Sequence, residues 1–159
     1  ELIEEIFRRE GGAKATNDPV DKGGRSQYGI TEVEHPAAWS DGKVTEEEAK
    51  HIYLQKYVVG PGFCKIPASH AKVMEQLVDY GVNSGPALAT QKLQAALGIE
   101  VDGDFGPQTL AALTAADPIA IGNRLVGERI KMFARIVQKS PGQAKFLVGW
   151  INRALEFLR

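Results

Sequence analysis

The chain has little of what several catalytic classes require. Its 159 residues contain one cysteine, Cys64, so no disulfide can form within the chain, and synthesis in the cytoplasm is favoured. A free cysteine usually behaves as a small apolar residue, and we expect Cys64 to be buried. The three histidines are far apart without HExxH spacing, and Gly-x-Ser-x-Gly is absent. Zinc-peptidase and acyl-enzyme chemistry are therefore disfavoured, and neither a metal nor an organic cofactor is expected.

Long apolar runs are missing as well. No stretch approaches the roughly 20 residues that a membrane-spanning helix needs, so no membrane insertion is expected. The segment ELIEEIFRRE at the start is amphipathic and acidic, which does not fit a signal peptide. The chain does not begin with Met, so we expect that it has been trimmed or processed.

A strong charge of one sign is also absent, since the net charge is −1. Residues 1–84 carry 10 Lys/Arg and 14 Asp/Glu, giving −4, whereas residues 85–159 carry 9 and 6, giving +3. Nearly all the late cations follow from Arg124 onward, which predicts a solvated basic helix face, or one that settles on an anionic polymer. Interleaved aromatics and nucleic-acid motifs are lacking, so nucleic-acid binding is not expected.

The apolar pattern predicts a mainly α protein, a helical bundle with a small irregular or β segment after the first helix. Ile3, Ile6 and Phe7 share one face of that helix, which ends near Glu10. Residues 13–42 are rich in turn signals and contain the expected β-structure. Further helices are predicted to begin near Thr45, Pro67, Pro86, Pro107, Pro118 and Pro141. We expect two lobes, residues 1–84 and 85–159, packed into one compact unit.

Glu10 has the position of a catalytic acid. It lies where the first helix ends, at the negative pole of the helix dipole, which disfavours an ionised carboxylate. Apolar cleft walls would disfavour that charge further, giving a protonated acid near neutral pH, as a glycosidase general acid requires. The plainer alternative is a surface glutamate at a helix end.

The loop after this helix carries further polar side chains. Asp18 and Asp21 are candidates for a second carboxylate that acts as base, nucleophile or electrostatic stabiliser. Alternatively, both are turn residues. Ser26, Tyr28 and Thr31 are suited to hydrogen-bond a water or a sugar hydroxyl, or are polar residues at a strand edge.

Several motifs of this segment occur together in a known family. They are Glu10-Gly11-Gly12, Asp18-Pro19-x-Asp21-x-Gly23-Gly24 and Tyr28-Gly29-Ile30-Thr31. This pattern resembles the catalytic segment of the family-108 glycoside hydrolases, phage-type and secretion-associated N-acetylmuramidases that cut peptidoglycan. Later motifs fit the same family, namely Asp79-x-Gly81-Val82-Asn83-Ser84-Gly85-Pro86, Val101-Asp102-Gly103-x-x-Gly106-Pro107-x-Thr109 and Phe146-Leu147-x-Gly149-Trp150-x-Asn152-Arg153.

The resemblance implies an α+β lysozyme-like fold and hydrolysis of the β-1,4 bond between N-acetylmuramic acid and N-acetylglucosamine. Glu10, as the glutamate of Glu-Gly-Gly, is the implied catalytic acid, and Ser26 stands where the family commonly has threonine. The candidates for catalysis beside Glu10 are Asp21, Ser26 and Thr31. The candidates for substrate binding are Asp18, Tyr28 and Asn83.

The resemblance also implies where the protein works. We expect a monomer that acts on peptidoglycan glycan strands at the cell wall and reaches them without a visible signal peptide. The bacteriolytic role of an endolysin and a role in secretion both remain open.

In the second lobe, residues 101–109 resemble the turn of stand-alone peptidoglycan-binding modules. A helix–turn–helix that completes the core explains the same residues without any ligand. Among the aromatic residues, Tyr28 and Trp39 are candidates to line a sugar-binding cleft, whereas Trp150 is expected in the core.

Two rival functions remain open. A lytic transglycosylase would use the same acid and close the sugar on itself, leaving an anhydro end. A non-catalytic wall-binding module or secretion scaffold would not need Glu10, so the intact glutamate argues against that alternative.

Overall fold

Helices make up most of the computed structural model, which describes residues 2–10 and 25–159. The helices and strands are α1 (Leu2–Arg9), β1 (Ser26–Gln27), β2 (Ile30–Thr31), α2 (Glu46–Leu54), α3 (Ala71–Ser84), α4 (Pro86–Leu97), α5 (Pro107–Ala115), α6 (Pro118–Lys139) and α7 (Ala144–Leu155). Contacts group the chain into two compact units, Glu1–Val58 and Val59–Arg159. The mainly α, lysozyme-like fold with one small sheet is confirmed.

In the N-terminal unit, the amphipathic pattern of α1 has the expected effect. Ile6 and Phe7 are buried, and α1 packs against α2. The two strands pair antiparallel, with Ser26 opposite Thr31 and Gln27 opposite Ile30. Ile30 is buried in the same core. The predicted β-segment is therefore a short hairpin.

Helix α2 begins with the capping box that its sequence predicts. The Thr45 hydroxyl accepts a hydrogen bond from the Glu48 backbone N–H at 3.2 Å. The Glu48 carboxylate in turn accepts one from the Thr45 N–H at 2.8 Å. Both orphan donors are thus satisfied, which fixes where the helix starts. A π-helical turn, Gln55–Val59, follows α2 directly.

In the C-terminal unit, α3 packs on α4 and α6, and α7 packs on α6. Gly85 joins α3 to α4 with φ +88°, and Pro86 begins α4. A side chain on Gly81 would meet Pro86 at 3.4 Å, so glycine lets the two helices approach closely at this corner. These contacts explain much of the Asp79–Pro86 motif as helix packing.

A buried ion cluster changes the interpretation of the late basic residues. Asp79 accepts from Arg153 Nε at 2.9 Å, and its other oxygen lies 2.7 Å from Arg129 Nη2. Asp79 and Arg129 are both buried. The expectation of a uniformly solvated basic face is therefore wrong for Arg129, because the helix turns this cation toward a buried carboxylate.

Two further expectations about burial are wrong. Cys64 is exposed, because it lies in a short 3₁₀ turn, Phe63–Lys65, in which Phe63 occupies the core. Trp150 is half-buried, because most of α7 remains exposed and only Ala154 of that helix is fully buried. Within the described ranges, no helix is long and apolar enough to cross a membrane.

Candidate functional site

Glu10 extends the last turn of α1. Its backbone N–H donates to the Ile6 carbonyl at 2.9 Å, and its side chain is exposed. Ile6 and Phe7, one turn earlier on the same side of the helix, are buried. The core therefore anchors the helix one turn before Glu10, and Glu10 itself lies at the exposed end.

Aromatic contacts join α1 to the hairpin and to α2. The Phe7 ring lies edge-to-face with Tyr28, with ring centroids 5.6 Å apart. It also contacts Tyr53 of α2 at 5.0 Å, and Tyr53 contacts Tyr57 at 5.4 Å. We call Phe7, Tyr28, Tyr53 and Tyr57 the aromatic cluster. It fixes the helix that ends at Glu10 against the turn of the hairpin.

The turn of the hairpin is tight, and a hydrogen bond from α2 stabilises it. Tyr28 and Gly29 form its two-residue loop, with φ +53° and +74°, as a type I′ turn requires. The Tyr53 hydroxyl donates to the Tyr28 carbonyl at 3.2 Å. A Cβ on Gly29 would lie 2.6 Å from the Tyr53 hydroxyl oxygen. Glycine therefore provides both the backbone conformation and the space that this hydrogen bond needs.

The electrostatics relate Glu10 to the same hydroxyl. Burial, and to a smaller extent the negative charge of Glu10, together raise the pKa of Tyr53 to about 12. A phenol with so high a pKa stays protonated under working conditions and keeps its donor. Glu10 is therefore near enough to the Tyr53 hydroxyl for its charge to act on it.

The hairpin also brings two predicted residues together. Ser26 and Thr31 are directly opposite each other, so their side chains lie on one face. Ile30 projects from the other face into the core. The Thr31 hydroxyl accepts from the Glu34 N–H at 3.3 Å, which gives it a local structural role as well.

Ion pairing stabilises the base of the hairpin. Arg25 and Glu32 form two parallel hydrogen bonds, of 2.9 and 2.8 Å, across the ends of the strands. The Arg25 hydrogen bonds hold the pKa of the Glu32 carboxyl below its usual range. The Arg25 guanidinium also lies 5.0 Å from the Trp39 ring centroid. Trp39 is itself buried and donates to the Ile30 carbonyl at 3.3 Å, so it supports the hairpin.

A surface cavity of about 650 Å³ follows the hairpin in the N-terminal unit. Its lining combines an apolar stretch, Pro36–Ala38, with carboxylates and imidazoles at Glu34, His35, Glu47 and His51. No cluster of three or more His, Cys, Asp or Glu among residues 2–10 and 25–159 is arranged to hold a metal ion. A lining that combines apolar residues with a few polar groups is common in small-molecule sites.

The remaining predicted site residues are distributed differently. Asp18 and Asp21 lie outside the described residues, as do the glycine pairs beside them. Asn83 belongs to the C-terminal unit, where its amide donates to the Asp79 carbonyl at 2.9 Å. This hydrogen bond lies within the last turn of α3.

The turn at residues 101–109 is organised by one buried amide. The Gln94 Nε2 group has two N–H donors and lies 2.6 Å from Asp102, 3.0 Å from the Asp104 carbonyl and 3.1 Å from the Thr109 hydroxyl, so its donors are shared among these acceptors. The Gln94 amide oxygen accepts from the Asp102 and Gly103 N–H groups at 3.1 and 2.9 Å. These contacts account for the motif as a structural turn. A cavity of about 710 Å³ adjoins it, and ligand binding there stays a prediction.

Sequence reasoning named Tyr53 only as part of the α2 face, and it missed the role of this hydroxyl. The bond from Tyr53 to Tyr28 spans 25 residues, and no local pattern reports a contact of that range. Asp79 did give a signal, because it is an acidic residue within the apolar run Leu77–Tyr80. A carboxylate there predicts a buried partner.

The described fold is mainly helical, with one small hairpin and an exposed glutamate at the end of α1. Residues 3–85, just over half of the chain, match the family model described as Glycosyl hydrolase 108. The chain therefore belongs to the glycosyl hydrolase 108 family and is a glycoside hydrolase. Residues 88–155 match a second model, described as Predicted Peptidoglycan domain. The substrate is accordingly peptidoglycan, and the protein acts at the cell wall.

Among solved structures, the chain is similar to one described as the structure of Brucella abortus SagA. The identity is 29% and the TM-score 0.68, over 99% of this chain and 94% of that one. No curated protein matches. The two family matches divide near residue 86, whereas contacts in the structure group residues 59–84 with the C-terminal part. The division into lobes 1–84 and 85–159 stays a prediction.

Proposed function

We propose that the protein is an N-acetylmuramidase that hydrolyses the β-1,4 bond between N-acetylmuramic acid and N-acetylglucosamine, with Glu10 as general acid. The observation that carries this proposal is the position of Glu10: exposed at the end of an anchored helix and close enough to Tyr53 to raise its pKa.

In the proposed reaction, Glu10 donates its proton to the leaving glycosidic oxygen as the bond to the anomeric carbon breaks. Water then supplies the hydroxyl of the new reducing end, and its remaining proton passes to a carboxylate: the second carboxylate in an inverting reaction, or Glu10 in a retaining one. Ser26 and Thr31, side by side on one hairpin face, are suited to hold that water or a sugar hydroxyl. Asp21, and after it Asp18, are the carboxylates proposed for the second role. Tyr28 is proposed to contact a sugar ring.

The separation of the two carboxylates would decide between retention and inversion. A lytic transglycosylase shares the acid, and its product differs by an anhydro end. A wall-binding scaffold shares the fold and releases no product. We further propose that the protein works as a monomer, in bacteriolysis or in secretion.

The test is mass spectrometry of muropeptides released from purified peptidoglycan by wild type, Glu10→Gln and Glu4→Gln. Glu4 provides the matched control, because it is a second glutamate of α1. Its carboxylate lies 3.7 Å from the Lys50 ammonium group of α2. We expect reducible muramic-acid ends from wild type and the control, and at least about 100-fold less product from Glu10→Gln. Anhydro ends would identify a transglycosylase. An active Glu10→Gln enzyme would overturn the assignment of the acid.

The second group is tested separately by comparing the initial rates of Asp21→Asn, Asp18→Asn, Ser26→Ala and Thr31→Val. If the rate falls about 100-fold in only one variant, the residue substituted there is the group that acts with Glu10 in catalysis. Thr31→Val keeps the branched shape while removing the hydroxyl, so its melting temperature monitors the local bond to Glu34. Unchanged rates in all four variants would contradict the proposed set.

A further inference from the structure

The C-terminal unit contains a cavity that the proposed bond cleavage does not use. Its volume is about 290 Å³, and residues of α3, α6 and α7 line it, among them Asn83, Arg129, Phe133, Ile136, Trp150 and Arg153. This is at the small end of the range for ligand sites. It suits one or two small amino-acid residues better than a pair of sugar rings.

Arg129 gives this cavity a specific chemical requirement. Its side chain is only 2% exposed, and Nη2 pairs with Asp79 at 2.7 Å. Nη1 is buried as well, and it makes no hydrogen bond with any residue of the described part of the chain. A buried N–H donor without an acceptor is costly, so folding retains it only where something compensates.

Neighbouring aromatic rings compensate for this donor only in part. The Tyr80 and Phe133 ring centroids lie 4.8 and 5.9 Å from the guanidinium carbon, which stabilises the positive charge. A ring is nevertheless a weak acceptor compared with a carboxylate oxygen, which guanidinium groups bind with charge-assisted hydrogen bonds. The unused donor therefore favours an anionic ligand.

The rest of the lining restricts the ligand further. Met132, Phe133, Ile136 and Trp150 provide an apolar wall, and no carboxylate is among the described residues that line the cavity. Trp150 is held in place by stacking against Phe146 and by contact with Phe133. The ligand should accordingly combine one carboxylate with a small apolar body.

We propose that this cavity binds the free C-terminal carboxylate of a peptidoglycan stem peptide, with the carboxylate at Arg129 Nη1 and the terminal side chain against Trp150. The inference deepens the proposed function, and it rests on peptidoglycan as substrate rather than on Glu10. A cross-link converts such a carboxylate into an amide, which is neutral. The cavity would therefore distinguish free stem ends from cross-linked ones.

The experiment is an NMR titration of the whole chain with acetyl-D-Ala-D-Ala, its C-terminal amide and sodium acetate. We expect saturable shifts of the Arg129 Nε–H and Trp150 indole N–H signals with the acid, and at least about tenfold weaker binding of the amide. Ile136→Phe, which fills the cavity, should remove binding. Val137→Phe, which introduces the same side chain at a neighbouring residue that does not line the cavity, should retain it.

Absence of a saturable shift in the wild type would overturn the proposal, as would equal binding of acid and amide. Acetate binding as tightly as the dipeptide would reduce the cavity to a general anion site and overturn the stem-peptide assignment. Cleavage is not needed in the titration. Muropeptide release without dipeptide binding would therefore contradict this inference alone, and dipeptide binding without release would contradict the muramidase proposal alone.

Discussion

Tyr53 shows how a single hydroxyl connects three elements. Its ring packs on Phe7 of α1, and its oxygen donates to the Tyr28 carbonyl in the hairpin turn. The negative charge of Glu10 contributes to the raised pKa of this hydroxyl. We therefore expect Tyr53 to act as a positioning residue that holds the hairpin beside the candidate site.

Removing this hydroxyl should have a measurable and limited effect. We expect Tyr53→Phe to lower the free energy of unfolding by about 1 kcal/mol, because one hydrogen bond is lost while the ring contacts remain. The rate constant kcat should fall more than KM changes, since the hairpin is displaced relative to the acid. Urea denaturation and initial rates measure both. Tyr57→Phe is the matched control, and an equal effect there would contradict the role of Tyr53.

The raised pKa of Tyr53 predicts a specific pH dependence. Its pKa of about 12 in the folded state lies above the value of about 10 for an unfolded chain. The folded protein therefore holds this proton more strongly, and the associated stability is complete below pH 10 and lost as the pH rises to 12. The phenolate absorbance of wild type minus that of Tyr53→Phe should titrate near pH 12. A difference midpoint near pH 10 would contradict the burial effect.

At the scale of elements, the hairpin is built around its two-residue turn. Gly29 adopts a left-handed φ and also leaves room for the Tyr53 hydroxyl. Gly42 adopts φ +85° too, yet among the described residues a Cβ there would meet only the Arg25 guanidinium, at 3.7 Å. Substitutions at Gly42 should therefore report backbone strain alone, whereas substitutions at Gly29 should add a steric clash with Tyr53.

Alanine substitutions at the two glycines should therefore differ. Gly42→Ala should cost about 1 kcal/mol, the cost of a left-handed residue with a side chain. Gly29→Ala should cost clearly more and lower the muramidase rate, because its methyl group displaces Tyr53. Thermal unfolding and initial rates are the measurements. Equal costs would show that Tyr53 moves aside without consequence.

The helices were predictable from sequence because each has a local signal. Thr45 with Glu48 marks the start of α2, and Pro86 and Pro118 begin α4 and α6. The hairpin was predictable only as a turn-rich segment, because its strands of two residues are too short for an alternating pattern. The ring contacts and the buried ion cluster join residues distant in sequence, which single-sequence patterns do not report.

At the scale of the whole molecule, the ion cluster holds the C-terminal unit together across α3, α6 and α7. Burial lowers the pKa of Arg129, and the nearby Asp79 carboxylate opposes that shift. Asp79→Asn should therefore destabilise the protein by about 3–5 kcal/mol, since buried cations lose their counter-charge. Glu75→Gln removes an exposed pair with Lys72 and should cost at most about 1 kcal/mol. Denaturant midpoints compare the free energies of unfolding of the two variants. A similar loss of stability in both would contradict the larger role of Asp79.

The boundary between the parts of the chain can be tested with fragments. A fragment of residues 59–159 keeps α3 and its Asp79, whereas residues 85–159 leave Arg129 without that carboxylate. We expect the longer fragment to unfold cooperatively and the shorter one to lack a cooperative transition. Circular dichroism during heating distinguishes the two. Cooperative unfolding of residues 85–159 would support the lobe division at that point.

Helix α1 has only eight residues, too few to be stable alone, and it buries two of them. Because local opening requires little free energy where few apolar contacts are broken, this helix should fray at temperatures that leave the larger unit folded. The carboxylate at its end would then leave its working position first. Heat inactivation should consequently precede the loss of most helical signal, and we expect the stability of α1 to limit the temperature at which the enzyme works.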